Sequence, residues 1–370
     1  MNREAAEHKA EHETMGREVS AAMSGESAAL GQGTANPKAM TRTTMRALCQ
    51  LNTEFYERNA ASFSQTRAAP WEGWRRCMEA CGFDDSDGAA PGQPANAQTA
   101  DSVLDIACGN LRFEAFLANT YPHVDWSFFA VDNCEPLVAS GQEDIAKKVY
   151  FTCEDIVSNL LDGLPAAEPA NTPAFAAATP FDLVVSFGFL HHIPSFDLRR
   201  QFLLEALSQV KPGGYLVVSF WQFLNDPAKR AKIEQTHAEA LAFFAGSLEP
   251  NDYFLGWKNE PDNYRYCHHF SNEEIDRIIA ALAPHATVVE SFSADGKPGN
   301  LNRYVVFRRE DDKLPGRSTP STQSLPHQAS EQRKRVYPTA LSCKPLGATS
   351  GEFRCSHRTH SISGEGETAR

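Results

Sequence analysis

The chain has nothing with which to cross a membrane and nothing that would staple it. No apolar run approaches the roughly 18 residues of a spanning helix, and Met1, Asn2, Arg3 and Glu4 lead into charge instead of a signal-peptide stretch. A cytoplasmic protein without membrane contact is therefore expected. The nine cysteines are odd in number and scattered, unlike the even spacing of a secreted disulfide framework, so reduced thiols are expected. Cys77 and Cys81 stand four apart and no Cys-x-x-Cys pair occurs, so no metal site is expected. Positive charge is scarce as well. Thirty-five Lys and Arg against 47 Asp and Glu give a net −12; residues 311–370 carry nine basic and six acidic side chains, which leaves −15 on the rest. Such a body has no general attraction for phosphate backbones, and stable DNA binding is not expected. Glycine is sparse where a redox dinucleotide would need it, because the pyrophosphate pattern G-x-G-x-x-G is reduced to Gly109.

What is present is enough for a full core. With 370 residues, 42% of them hydrophobic, the chain fits one domain of roughly 200 to 250 residues plus additional segments. Residues 1–40 and 311–370 have the composition of disordered tails; the basic run Arg333, Lys334, Arg335 falls in the second. Residues 41–310 form the domain. Within it, helical spacing of Leu48, Leu51, Phe55 and then Trp71, Trp74, Cys77, Met78 predicts a two-helix lid over 44–83, broken at Ser62–Pro70. Ala-, Pro- and Gly-rich stretches near 84–101 and 164–180 read as insertions, and 222–270 as a third, helical at Pro227–Leu248 and irregular beyond.

Five short apolar runs alternate mostly with helical segments: Ser102–Ala107, Trp126–Asp132, Val149–Cys153, Phe181–Phe187 and Tyr215–Phe220. Continuous apolar character suits strands covered on both faces. A helix at Asn272–Leu282 and two strands near Thr287–Ser293 and Arg303–Arg308 complete an α/β, Rossmann-like sheet of seven mostly parallel strands with helices on both faces.

Three consecutive strands end in acids. Asp105 precedes the small turn Ala107-Cys108-Gly109-Asn110, where a ligand can approach the backbone and a helix begins near Arg112. Asp132, 27 positions on and followed by Asn133, can accept ribose hydroxyls where a 2′-phosphate would be repelled. Asp155 can accept from an adenine amino group and Ile156 can cover the ring. Ser186, Phe187 and then His191-His192 lie where the fourth strand meets the cleft, and His191 is a candidate base.

The strand-end Asp105, the turn Cys108-Gly109-Asn110, Asp132, Asp155, the stretch before His191-His192 and Lys211-Pro212-Gly213-Gly214 resemble class I S-adenosylmethionine-dependent methyltransferases. Ala107 and Leu111 stand where that pattern has glycines. The resemblance implies S-adenosylmethionine as cofactor and a last strand that enters the sheet antiparallel. A narrower resemblance, from about Leu51 to Phe270, is carried by Phe63-Ser64-Gln65-Thr66-Arg67 with Pro70-Trp71, by His191-His192-Ile193 with Arg199-Arg200, and by Tyr264-Arg265-Tyr266 with His268-His269-Phe270. These look like the tRNA wobble-uridine carboxymethyl methyltransferases of the methyltransferase type 11 group. That likeness implies that Arg67 and Trp71 help form the acceptor pocket. It also implies a small activating subunit as partner, as the eukaryotic enzymes use one. Methyl transfer from a sulfonium relies on alignment and desolvation. Arg67 is accordingly expected to steer an anionic acceptor, Trp71, Trp221 and Trp257 to wall the cleft, and His191 or His268 to take a proton if the acceptor carries one. The acceptor is expected to be a small metabolite or a tRNA nucleoside. The alternative is a cofactor-binding interaction protein without transferase activity.

Overall fold

The computed structural model describes residues 39–83, 101–164 and 180–310. The expected C-terminal tail, all of the N-terminal one but Ala39 and Met40, and nearly all of the two Ala/Pro-rich insertions lie outside these residues. Helix α1 (Arg42–Gln65) and α2 (Glu72–Ala80) precede the sheet; α1 starts at Thr41, whose hydroxyl accepts from the N–H of Thr44. Then come β1 (Asp101–Ile106), α3 (Arg112–Thr120), β2 (Trp126–Asp132), the short α4 (Glu135–Val138) and α5 (Glu143–Ala146), β3 (Val149–Cys153), α6 (Ile156–Leu161) and β4 (Phe181–Ser186). After α7 (Phe196–Ser208) and β5 (Val210–Trp221) follow α8 (Pro227–Leu241), β6 (Asp252–Gly256), β7 (Tyr264–His268), α9 (Asn272–Leu282), β8 (Ala286–Ala294) and β9 (Asn302–Arg309).

Seven strands form one sheet in the order β3-β2-β1-β4-β5-β9-β8. The first five pair in parallel, and β9 enters antiparallel between β5 and β8. The fold is the expected Rossmann-like one. Side chains alternate across the pleat. Leu104, Phe129, Val184 and Leu216 join one core with α6, α7 and α9; their neighbours Val103, Phe128, Leu183 and Val217 join another with α2 and α3. Burial on both faces is why the strands read as unbroken apolar runs. Strand order reverses between β1 and β4, and their carboxyl ends open the crevice where ligands bind in open α/β sheets.

Three elements differ from the sequence reading. Strand β5 begins at Val210, not Tyr215, because Lys211-Pro212-Gly213-Gly214 forms an irregularity within the strand, between the pairs Phe181↔Val210 and Leu183↔Tyr215. A Cβ on Gly214 would lie 2.6 Å from the carbonyl of Asp182, which fixes glycine there. The helix after Trp221 ends at Leu241 instead of Leu248. The segment read as irregular holds an antiparallel hairpin, β6 with β7, paired from Asp252↔His268 to Gly256↔Tyr264.

Candidate active site

A cavity of about 590 Å³ opens over the carboxyl ends of β1, β2 and β4, between the sheet and the α1–α2 segment. Its donor half is built on the turn after β1. Ala107 and Leu111 both adopt left-handed backbone, at φ of 66° and 57°, and so does Gly109. The first two are the positions where the family pattern has glycine, so the turn keeps its shape while carrying side chains that conformation disfavours. Leu111 is fully buried in the core under α3.

Asp132 braces this turn. One carboxylate oxygen accepts from the N–H of Gly109 at 2.9 Å and the other from the N–H of Cys134 at 2.8 Å. Each oxygen retains a lone pair for a further donor such as a ribose hydroxyl. Burial pushes the Asp132 carboxyl up, against the pull of these N–H groups. Asn133 lines the cavity with its amide held by Thr53 of α1 at 3.1 Å. Asp155 caps α6, accepting from the N–H and hydroxyl of Ser158 at 3.0 and 2.8 Å, and Ile156 follows it along the cavity wall. Asp105, Ala107, Cys108 and Phe187 also line the cavity. Ser186 lies beneath it, fully buried, donating to the carbonyl of Ile106 at 3.0 Å. Among these residues an adenosine and an amino-acid tail fit: small residues stand where backbone must be approached, carboxylates end two neighbouring strands, and Asp105 Oδ1 is buried without a partner.

The α1–α2 segment is pinned across the cleft. The amide of Asn110 donates to Ser64 Oγ at 3.0 Å, and Arg112 donates to the carbonyl of Ala69 at 2.8 Å while its guanidinium lies 5.1 Å above the rings of Trp71 and Trp74. A Cβ on Gly188 would sit 2.9 Å from Trp71, so that glycine makes room for the indole.

The acceptor half gathers Tyr56, Arg67, His191, His192, Trp221 and Arg265. Arg265, on β7, is 6% exposed, and its Nε and Nη1 have no partner. Its guanidinium is boxed by Phe55, Phe63, Trp257 and Trp221, at 4.8, 5.8, 5.5 and 6.0 Å from the ring centres. Arg67 also lies against Phe63, 4.5 Å from its ring centre. Among the described residues neither arginine forms an ion pair. Trp257 therefore stands behind the cavity wall, supporting Arg265, with its indole N–H donating to Ser62 Oγ at 3.0 Å.

Both histidines are held neutral. Burial pulls His191 well below its ordinary value, helped by His192 and Arg265; burial and Arg265 bring His192 to about 3 against the pull of the Tyr266 carbonyl. His192 Nδ1 lies 3.0 Å from that carbonyl and 3.1 Å from the Asn52 amide nitrogen, and its Nε2 lies 2.7 Å from the Tyr56 hydroxyl. The ligating atoms of His191, His192 and Cys267 fall within 4.8 Å of one another. Both nitrogens of His192 are already engaged and the neighbouring charge is cationic, so this cluster reads as the floor of the acceptor half.

His268, expected in the acceptor pocket, is not brought there. Its Nδ1 faces Asp252 at 2.7 Å and its Nε2 faces Glu274 at 2.6 Å, while Arg199 reaches Glu274 at 3.1 Å and Glu249 at 3.2 Å. This buried network ties the hairpin to α7 and α9. The sequence reading singled out Arg67 but passed over Arg265 as a site residue; the signal was a charged residue inside an aromatic run, Tyr264-Arg265-Tyr266.

Residues 103–214 match the family described as methyltransferase domain. A candidate methyltransferase of Encephalitozoon cuniculi (strain GB-M1) is 26% identical over 247 residues, covering 65% of this chain and 91% of that protein. Among solved structures, a 1,6-didemethyltoxoflavin-N1-methyltransferase of Burkholderia thailandensis is 15% identical, covering 76% of this chain and 94% of its own, at a TM-score of 0.43. A methyltransferase of Methanosarcina mazei is 17% identical over 58% and 95%, at 0.41. The matched span runs from β1 to the glycine irregularity of β5, and so contains the donor half. Arg67, Trp71, Trp221 and Arg265, which furnish much of the acceptor half, lie outside it.

Proposed function

We propose that the protein transfers a methyl group from S-adenosylmethionine to a carboxylate oxygen of its acceptor, forming a methyl ester. The buried Arg265 carries this reading: a guanidinium with two unpartnered nitrogens, boxed by aromatic rings beside Arg67, calls for an anion. When bound, S-adenosylmethionine supplies an electrophilic methyl group on a sulfonium. Asp132 would hold the ribose, Asp155 and Ile156 the adenine, and Asp105 with the turn at Ala107–Gly109 the amino-acid end. Arg67 and Arg265 would orient the acceptor carboxylate, and Trp71 and Trp221 would exclude water. A carboxylate arrives deprotonated, so no base is needed, and His191 and His192, too weakly basic to take a proton, suit that requirement. We assign His191 a packing role against Trp221, whose ring centre is 4.7 Å away.

A small carboxylate-bearing metabolite is the preferred acceptor, because a body at −15 repels phosphate backbones. A carboxymethylated tRNA nucleoside is the second reading, favoured by the motifs around Arg67 and Arg265, and it brings with it the small activating subunit. The test is to incubate the protein with methyl-labelled S-adenosylmethionine and, separately, a metabolite pool or bulk tRNA. Label released as methanol by mild base is expected; base-stable label would overturn ester formation. Arg265→Met is expected to raise the acceptor KM at least tenfold, the cost of losing a charged hydrogen bond of about 1.5–3 kcal/mol, without changing the affinity for S-adenosylhomocysteine. Tight donor binding with no product from any acceptor would favour an interaction protein instead.

A further inference from the structure

Arg265 and Arg67 pose a charge problem that one carboxylate does not solve. Both guanidiniums lie against the ring of Phe63, at 5.8 and 4.5 Å from its centre, and like charges so placed repel in a partly desolvated pocket. Both residues line the cavity, Arg265 buried and Arg67 half-buried. Native proteins rarely leave buried polar atoms unsatisfied, yet Arg265 Nε and Nη1 have no partner.

The acids around the cavity are committed elsewhere. Asp132 accepts from Gly109 and Cys134, Asp155 from Ser158, and Asp295 from the N–H of Gly73 at 3.3 Å and the amide of Asn302 at 2.8 Å. Glu72 is exposed at the start of α2, and Lys229, also along the cavity, is paired with Asp226 at 3.0 Å. The two arginines differ in place. The carbonyl of Arg67 accepts from the amide of Asn110 at 3.3 Å, which ties Arg67 to the turn after β1 and so to the donor half. Arg265 comes from the β6–β7 hairpin, and none of the rings around it belongs to the donor half. A monocarboxylate would balance one guanidinium, and its methylation would leave both unbalanced. A dicarboxylate balances both, and its monoester still balances one.

We propose that the acceptor is a small dicarboxylic acid, held by Arg67 at the carboxylate that is methylated and by Arg265 at one that is not. This deepens the methyl-ester reading and rests on it, dividing the two arginines between two carboxylates. The carboxylate oxygen at Arg67 forms the O–CH3 bond as the S–CH3 bond breaks. The electron pair of the broken bond stays on sulfur and S-adenosylhomocysteine leaves; the dianion becomes a monoanionic monoester and no proton moves. A carboxylate suits Arg265 better than a phosphate, since a lone guanidinium in an aromatic box matches one negative charge.

The charge left on the product reads this directly. The full wild-type chain is given methyl-labelled S-adenosylmethionine and a deproteinised metabolite pool, and the base-labile labelled product is passed over a strong anion exchanger at neutral pH. Retention is expected, unchanged by alkaline phosphatase. A labelled ester that runs through unretained overturns the proposal while ester formation stands; so does one that phosphatase frees from the resin, whose second anion would be a phosphate. Base-labile label found only in bulk tRNA overturns it as well. Base-stable label, or none, overturns the reading on which it rests. With the acid recovered from the retained fraction, Arg265→Met should raise its KM about tenfold, and Arg67→Met should lower kcat by roughly ten- to a hundredfold through misplacement of the reacting oxygen. Both variants should bind S-adenosylhomocysteine as wild type does, which shows that they fold. Equal rises in KM with kcat unchanged in both would overturn the division between the two arginines.

Discussion

Ala107 and Leu111 occupy the same region of backbone space with opposite consequences. A left-handed residue bearing a Cβ costs about 1–2 kcal/mol. Ala107 has little packing to offset this, so Ala107→Gly should raise stability by about 1 kcal/mol, or roughly 2 °C in a chain of this size, read by thermal unfolding. An unchanged or lower midpoint would mean that the turn carries no such strain. Leu111 is 0% exposed. Leu111→Gly relieves its backbone but deletes a buried side chain worth about 2–5 kcal/mol, so it should destabilise. The sequence revealed the turn through Asp105, Cys108 and Gly109. The side chains at residues 107 and 111 hide their left-handed backbone; only the glycines that the family pattern has at these positions hint at it.

At the scale of elements, the parallel core was legible because burial on both faces leaves an unbroken apolar signature in β1 to β4. The β6–β7 hairpin was not, because its strands carry Asp252 and His268, buried against each other, Tyr266 and Glu274, and Arg265, buried in a box of aromatic rings. Glu274 of α9 is the clearest of these. Burial pushes its carboxyl up, but the hydrogen bond with His268 and the charge of Arg199 more than reverse this, leaving it lowered. A lowered carboxyl contributes stability that is present above its unfolded value and lost as pH falls through the folded one. Glu274→Gln should therefore cost about 3–5 kcal/mol at neutral pH, as for breaking a buried ion pair. The gap to wild type should close below roughly pH 4.3 in denaturant titrations. A gap that persists unchanged to pH 3 would show that packing, not charge, is what Glu274 supplies. The same partners explain why His268 looked like a site residue: a His-His pair next to an aromatic signals a cleft only until the facing carboxylates are known.

Across the whole molecule, buried groups tilt the stability profile in opposite directions. His192, held down to about 3, and His269, held down to about 4 mainly by burial, stay neutral in the fold while the unfolded chain takes up protons below about pH 6.5, so they destabilise on acidification. Glu114, at about 8, stays protonated in the fold while the unfolded chain ionises, so it destabilises as pH rises from about 4.5 toward 8. Glu114→Gln should consequently gain stability relative to wild type through that window, by up to about 1.4 kcal/mol per pH unit. A constant difference would contradict the full burial of that carboxyl. The cleft itself was readable from three acids at three strand ends. The two-sided acceptor half was not, since it is assembled from α1, β4, β5 and β7, which only the tertiary fold brings together.

The most direct test of the donor assignment is calorimetric titration of the protein with S-adenosylmethionine and, in parallel, with NAD. Micromolar binding of S-adenosylmethionine alone is expected, weakened roughly ten- to a hundredfold by Asp132→Asn with the fold intact by circular dichroism. Binding of NAD in preference, or an Asp132→Asn variant that binds S-adenosylmethionine as tightly as wild type, would contradict it.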